Sequence, residues 1–534
     1  MSTESLSPIP DPLRRRIILF LAGANLTLVQ FLAMREFAAL LGSNELVVLL
    51  VVAGYFLGLS AGYLVSRRLS RRTLLTLGIG TLVLHASLPF SVRWFSGAMA
   101  SIDLAGNTPP FLFCLTLFGL TPFYAVFLPR LIGENESASE GSTEKPHERL
   151  VRCYATELAG GLAGLAVLFV IPPARMEWIA ALHLTGLVVL LFLAVPLPRP
   201  WRWSLPLLPI VYLAAYPSLQ RSSLEFHLRE THRYRDVRVL ASEFSPYQRV
   251  DFVAVRARTS DRVATNLYLN GNLLYGSRSL HEHNLMVSVL PNLLAAPEGQ
   301  GHALVIAGGS LDNARYLAPR VRQLRVVEID ETVVRLARRH LQEPRGDFPS
   351  GWDLVIDDGK HFLGNWRGEA FDTICVDVPV PTHLQTAMLH SERFFALARG
   401  RLKPGGIFSI SLSGHLDPRG PDQPPSQRLS ARIMAGLLAT FPHVMVARLG
   451  DHDFAWASGK PIREDLASLQ RRIDGFRDSL PGLLQTFGHP RIGLIHEKEI
   501  ESRARGSLPI GEADMQIVLR LSLAKLRKRF YDPD

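Results

Sequence analysis

At 534 residues the chain is too long for one ordinary core, so two or more domains are expected. The apolar share of 47% is high for a soluble protein, and the excess sits almost wholly before about residue 220. The net charge of +10 would suit a nucleic-acid partner, but much of it falls beside apolar segments (Arg14, Arg15 and Arg16; Arg67, Arg68, Arg71 and Arg72), the pattern that orients membrane helices, so nucleic acid is set aside.

The first elements in chain order are apolar stretches long enough for a bilayer core, at 17–34, 46–65, 73–92, 110–129, 155–172 and 178–196. A seventh, 204–216, is short and carries Pro206 and Pro209; with Trp201 and Trp203 at its edge, it either crosses or lies in the interface. The first stretch lacks a small-residue cleavage site and is followed by many more, so no cleavable signal peptide is expected. Arginine-rich ends at Arg14–Arg16, Arg67–Arg72, Arg149 with Arg152, and Arg199 with Arg202 place the N-terminus in the cytoplasm. Six spans return the chain there; seven put the remainder outside. Gly54, Gly58 and Gly62, and again Gly160 and Gly164, recur at four-residue spacing, which suits close helix packing. Glu157 lies near the start of a span, where an acid is costly and a transport role is the alternative to packing. Cys114, Cys153 and Cys375 are far apart, so neither a disulfide framework nor a metal site is indicated.

From about residue 235 the pattern changes to short alternating strands, VRVLASEF, YQRVDFVAVRA and TNLYLNGN, which read as a small antiparallel sheet. A helical stretch follows at 281–295. Then ALVIA, LRVVEI, DLVID, FDTICVD and GIFSISL alternate with helical sequence, which implies a parallel, Rossmann-like α/β sheet covered on both faces. LKPGG at 402–406 reads as a turn into the last of these strands. The expected organisation is a helical membrane domain over 1–220, a small β-rich subdomain over 221–285, and an α/β domain over 286–534.

Ligands bind such sheets at the carboxyl ends of the strands. Gly308 and Gly309, Glu328, Asp357 with Asp358, and Asp377 all fall there, and this convergence is the strongest functional signal in the chain. Glu328 stands where an acid accepts from the two hydroxyls of a ribose, or else caps a helix. Asp358 either accepts from an adenine amino group or starts a turn. Asp377 ends a very apolar strand, with Pro379 and Pro381 forcing an extended exit, and a carboxylate so placed suits a general base.

The order of these motifs, from SPYQR at 245–249 to about residue 414, resembles the spermidine synthases (polyamine aminopropyltransferases), which share the Rossmann-like fold of S-adenosylmethionine methyltransferases. The helical half is similar to the multi-span segment fused to some bacterial members. The resemblance implies transfer of an aminopropyl group from decarboxylated S-adenosylmethionine, a co-substrate rather than a resident cofactor, to putrescine or a related amine, with release of methylthioadenosine. It implies Asp377 as base, Gln248 and the Gly308–Gly309 turn beside the donor, Glu328 on the ribose, Asp358 and Gly359 at the adenine, and His283 near the acceptor. His281 is close by, and an ordinary surface histidine remains the alternative for His283. The partners implied are the lipid bilayer and a small amine; self-association is left open. Location in the cell membrane with a cytoplasmic catalytic half follows from where a charged adenosyl donor is expected.

The departures from the family are specific. Its glycine-rich turn has an aspartate where Ser310 stands, although Asp312 is near; its second aspartate after the base is Val380; its glutamine after the NG turn is Leu274; and its glutamate after the helix histidine is Asn284. Loss of these acids disfavours a dicationic acceptor. Two other classes stay open. One is a methyltransferase, with Arg315 facing the methionine carboxylate; the other is a transporter or sensor that binds a nucleoside or polyamine without turnover.

Overall fold

The computed structural model describes residues 12–138, 146–195, 197, 199–276, 281–345, 350–412, 414–417, 425–450, 452–479 and 492–530. The chain forms two compact units. One comprises residues 1–249 with 257–260 and 527–534; the other comprises 250–256 with 261–526.

Among the described residues of the first unit, six helices are long and apolar enough to cross a membrane. They are α1 (Pro12–Leu41), α2 (Asn44–Val65), α3 (Arg71–Ser101), α4 (Ala105–Ile132), α5 (Pro146–Val170) and α6 (Met176–Ala194). Each of the six expected spans falls on one of them, and most of the helices run further, because polar flanks continue the backbone ladder beyond the apolar run. α4 is interrupted by a π-turn at Thr116–Leu120 ahead of Pro122, which cannot donate a helical hydrogen bond. The spaced glycines sit at backbone contacts. A Cβ on Gly160 would fall 1.9 Å from the Phe20 carbonyl oxygen, and one on Gly58 would fall 2.5 Å from that of Leu117.

Paired contacts also fix helix directions. Gly160 meets Phe20 and Gly164 meets Ala24, so α5 runs with α1; Gly54 meets Thr116 and Gly62 meets Ala125, so α4 runs with α2. Gly78 meets Leu191 and His85 meets His183 at 3.0 Å, so α6 runs against α3. The seventh apolar stretch opens a longer helix than its sequence suggested, α7 (Leu208–Thr231), and it runs with α3: Tyr216 packs on Phe90, Ser223 on Arg93 and Phe226 on Gly97. Its second half, PSLQRSSLEFHLRET, is polar, which is why hydropathy alone stops at residue 216. The strand β1 (Asp236–Phe244) also belongs to this unit.

In the second unit, β2 (Arg249–Arg256), β3 (Val263–Leu269) and β4 (Asn272–Gly276) pair antiparallel. The last two are joined by Asn270 and Gly271 at φ +46° and +69°, the two-residue turn whose twist suits a hairpin. The main sheet has eight strands in the order β12-β10-β11-β9-β8-β5-β6-β7. The five expected strands are β5 (His302–Ile306), β6 (Gln323–Glu328), β7 (Trp352–Ile356), β8 (Phe371–Val376) and β9 (Leu402–Ser411), all paired parallel. LKPGG lies inside β9 rather than before it, where a register shift accommodates Gly405 at φ +91°. The sheet also extends further than expected: β11 (His452–Ser458), β10 (His443–Leu449) and β12 (Ile492–Ile495) continue it antiparallel.

β5 is buried along its whole length and lies in the middle of the parallel strands. The chain leaves it toward β6 on one side and later returns to β8 on the other. That reversal opens a crevice at the carboxyl ends, where open α/β sheets bind ligands.

Candidate active site

Three backbone hydrogen bonds align the strand ends around this crevice. Asp377 N donates to Ile306 O at 3.0 Å, Ala307 N to Val327 O at 2.9 Å, and Asp357 N to Glu328 O at 3.0 Å. Asp377, Ala307, Glu328 and Asp357 therefore stand in a row, in the order of their strands.

The turn after β5 is built unusually. Its positive-φ residues are Ala307 (+62°) and Leu311 (+61°), not the two glycines between them. Such a conformation strains a residue with a side chain. The glycines are required for space instead: a Cβ on Gly308 would fall 2.8 Å from Val305 Cγ1, and one on Gly309 would fall 2.6 Å from Glu328 Oε2. This brings the turn's backbone against the Glu328 carboxylate. Leu311 then redirects the chain into the short helix Asp312–Leu317.

That helix delivers Asn313 to the crevice, where it meets His283 across Asp377. Asn313 Nδ2 donates to Asp377 Oδ2 at 2.6 Å, and His283 Nε2 lies 2.8 Å from the other oxygen, Oδ1. Asp377 and His283 side chains are each 20% exposed, so the pair is partly dry but reachable. The His283 ring packs edge-on against Phe454 of β11, with centroids 5.3 Å apart. One residue along each segment, Asp312 is buried and accepts from Asn284 Nδ2 at 2.6 Å and from the Tyr275 hydroxyl at 3.4 Å. Arg315 Nε lies 3.9 Å from the same carboxylate. Ser310 is buried, with its hydroxyl 3.4 Å from Asp312 N. Val380 packs on the apolar core, and Leu274 is half-buried in β4.

Glu328, only 8% exposed, has different surroundings. Its Oε1 accepts from Asp330 N at 3.0 Å. Burial pushes its carboxyl up to about 7, an effect that the Asp330 charge adds to and the backbone N–H groups of Asp330, Ile329 and Gly309 partly offset. Asp358 caps the helix Gly359–Asn365, its Oδ1 accepting from Lys360 N at 3.0 Å and His361 N at 2.9 Å. Gly359 lies against β5, where a Cβ would fall 2.4 Å from Ile306 Cγ2.

The second unit thus brings His283, Gly308, Gly309, Glu328, Asp358, Gly359 and Asp377 to one edge of the sheet. Gln248 belongs to the first unit, in the turn where Ser245 N donates to its carbonyl at 2.8 Å. Sequence reasoning missed Asn313, Tyr275 and Phe454. Asn313 had a signal, since it lies four residues after Gly309 at the end of the glycine-rich turn; Tyr275 and Phe454 come from elements that only the fold brings near.

An open Rossmann-like α/β sheet with acids at its switch point has the arrangement at which such sheets bind ligands. Residues 282–414 match the family model of the spermine/spermidine synthase domain. The chain is 29% identical over 387 residues to a polyamine aminopropyltransferase of Corynebacterium efficiens, covering 67% of this chain and 70% of that protein. It is 28% identical over 468 residues to one of Mycobacterium tuberculosis, covering 80% and 82%. A solved structure of a probable spermidine synthase from Corynebacterium glutamicum is 18% identical, with coverage of 50% and 95% and a TM-score of 0.38. Residues 282–414 thus carry the likeness to the spermine/spermidine synthase domain, and the similarity to polyamine aminopropyltransferases indicates a transferase.

Proposed function

We propose that the protein is a membrane-anchored polyamine aminopropyltransferase that moves an aminopropyl group from decarboxylated S-adenosylmethionine to an amine. In this reaction the amine nitrogen attacks the methylene carbon beside the donor's sulfonium. A C–N bond forms, the C–S bond breaks with its electron pair to sulfur, and methylthioadenosine leaves neutral, so no acid is needed. The acceptor's attacking nitrogen must first lose a proton, since an amine of pKa about 10 is protonated at neutral pH and reacts only through its lone pair. Asp377 takes that proton.

The observation that carries this reading is the Asp377 carboxylate at the switch point, held between His283 and Asn313 and level with Glu328 two strands away. His283 and Asn313 fix the carboxylate's direction so that it faces an incoming nitrogen without rotating away. Glu328 receives the ribose hydroxyls, with Gly309 letting the turn's backbone lie beside them. Asp358 and Gly359 border the adenine.

The acceptor is putrescine or a related amine, and the side chains favour one with a single charge. Asn284 is neutral, Val380 is apolar, and Asp312 already accepts two hydrogen bonds. A second ammonium in this pocket would lack a carboxylate of its own, which costs several kcal/mol when water is excluded. Membrane anchoring is supported by the six long apolar helices among the described residues.

The test is turnover by the full chain in detergent, with decarboxylated S-adenosylmethionine and a panel of mono- and diamines, reading methylthioadenosine and aminopropylated product by mass spectrometry. Product that disappears in Asp377→Asn supports the transferase. Methylthioadenosine binding with no product from any amine would refute it.

A further inference from the structure

We propose that His85, His183 and Tyr124 form a binding site for a transition-metal dication, Zn²⁺ or Cu²⁺, inside the helical unit. The three side chains come from three helices, α3, α6 and α4, and the residues are 4%, 1% and 0% exposed. Their rings form a triangle, with centroid separations of 5.1 Å between the histidines, 5.9 Å from His85 to Tyr124 and 6.4 Å from Tyr124 to His183. His85 Nδ1 is the common point, 3.0 Å from His183 Nε2 and 3.3 Å from the Tyr124 hydroxyl. Metal–nitrogen bonds of about 2.0–2.1 Å at tetrahedral angles hold neighbouring donor atoms about 3.3–3.4 Å apart. The observed spacing is close to that edge.

Hydrogen bonding singles out the same atoms. The Gly119 carbonyl only accepts, so His85 Nε2, 3.1 Å from it, carries the ring hydrogen, and Nδ1 presents a lone pair. A metal-bound histidine is usually held in this way, with its far N–H on a backbone carbonyl or carboxylate. Gly119 lies in the π-turn of α4, a break in the helical pattern that recurs at functional sites. Two neighbours then compete for one lone pair. If His183 Nε2 donates to it, His183 Nδ1 is left bare, and that buried atom has no partner among the described residues. If Tyr124 donates instead, His183 Nε2 loses its bond. Hydrogens alone thus leave an imidazole nitrogen unsatisfied where water is excluded, which is costly.

An ion at the centre of the triangle takes both imidazole lone pairs and the Tyr124 oxygen, and it moves the His183 hydrogen to Nδ1. Asn25 Oδ1, a buried acceptor also without a partner among the described residues, stands against Gly186, one turn further along α6. Tyr124 gives its hydroxyl proton to water as the ion binds, so a dication with two neutral imidazoles and one phenolate carries a single net charge. Imidazole donors select Zn²⁺ or Cu²⁺ over Mg²⁺ and Ca²⁺, which take oxygen ligands.

The inference rests on the helical unit alone, so its failure leaves the transferase reading untouched. The experiment uses the full chain in detergent, purified without a histidine tag, stripped with chelator and equilibrated with Zn²⁺ or Cu²⁺. After gel filtration, elemental mass spectrometry should find about one ion per chain in the wild type. His85→Leu and His183→Leu should each retain less by about tenfold or more. Calorimetry in buffers of different ionisation enthalpy should show release of about one proton per ion, lost in Tyr124→Phe. The copper-loaded wild type should show coupling to imidazole nitrogen by electron paramagnetic resonance, a readout that needs no variant and so survives a substitution that prevents folding. A wild type that retains no ion, equal retention by both leucine variants, or a copper spectrum without nitrogen coupling overturns the proposal.

Discussion

Glu328 and Asp377 end strands on either side of β5, yet the fold treats the two carboxylates in opposite ways. Asp377 has a side-chain partner on each oxygen, His283 and Asn313, and is one-fifth exposed. Glu328 is more deeply buried, accepts only from backbone N–H groups, and has its carboxyl raised to about 7. The first acid is fixed in direction, as the proton transfer proposed for it requires. The second is held by backbone N–H groups, and the ribose contact proposed for it would add hydroxyl donors to these. The difference teaches that two acids at neighbouring strand ends can be held in different ways, one oriented by side chains and the other buried against backbone N–H groups.

The largest expected effect is at Asp377. Asp377→Asn keeps the shape but cannot accept the amine's proton, so kcat should fall by about 10²–10⁴, or about 3–5 kcal/mol of transition-state stabilisation. Methylthioadenosine affinity, measured by calorimetry, should change little. A variant that keeps its rate would transfer the base role elsewhere and break the contrast between the two acids.

Glu328→Gln should act on binding instead. The loss of the ribose contact is expected to weaken methylthioadenosine binding by about ten- to a hundredfold, or about 1.4–2.7 kcal/mol. Binding to the native protein should strengthen as pH rises from 6 to 8, as the carboxyl ionises through about 7. Stability has the opposite sign. The folded carboxyl binds its proton more tightly than the unfolded one, so its contribution is full below the ordinary carboxyl range. That contribution is lost as pH rises through about 7. Thermal unfolding without ligand should therefore show Glu328→Gln stabilised at pH 8, by at most about 3 kcal/mol, and little changed near pH 4.5. Equal effects at both pH values would mean that Glu328 is not held protonated by burial.

The strand-end acids and the glycine pair were legible because their positions follow from local pattern: apolar runs end, and the next residue sits at the sheet edge. The pairings within the site were not. Asn313 reaches Asp377 only because Ala307 and Leu311 adopt positive φ, and nothing about alanine or leucine announces that. Asp312 was suspected of replacing the acid missing at Ser310, but its two partners, Tyr275 and Asn284, come from a hairpin and a helix whose approach depends on tertiary packing. In the helical unit the apolar cores of six helices were readable from hydropathy. α7 was not, because its polar second half finds partners on α3 that composition cannot reveal. The antiparallel extension of the sheet lay past the last motif on which the reading rested.

Asn313 sharpens the comparison at intermediate size. Asn313→Ala removes one of the two partners that orient Asp377, and kcat should drop by about tenfold with KM for both substrates nearly constant. Asn313→Asp places a second negative charge against the base and should be worse than alanine. If alanine and aspartate were equal, the amide would matter only for packing.

The smallest effect is expected at Asp358, whose sequence position allows either an adenine contact or a turn. Its Oδ1 already accepts from Lys360 N and His361 N, as an N-cap does. Asp358→Ala should cost about 1 kcal/mol of stability, and Asp358→Ser should recover most of it, since a hydroxyl caps nearly as well. Oδ2 is the atom left to meet a base, so any adenine contact depends on the carboxylate and not on capping. Methylthioadenosine affinity that falls in the serine variant while stability returns would assign both tasks to this one side chain. Affinity and stability that recover together would leave Asp358 as a cap, and the adenine would then be bordered by Gly359 and the backbone alone.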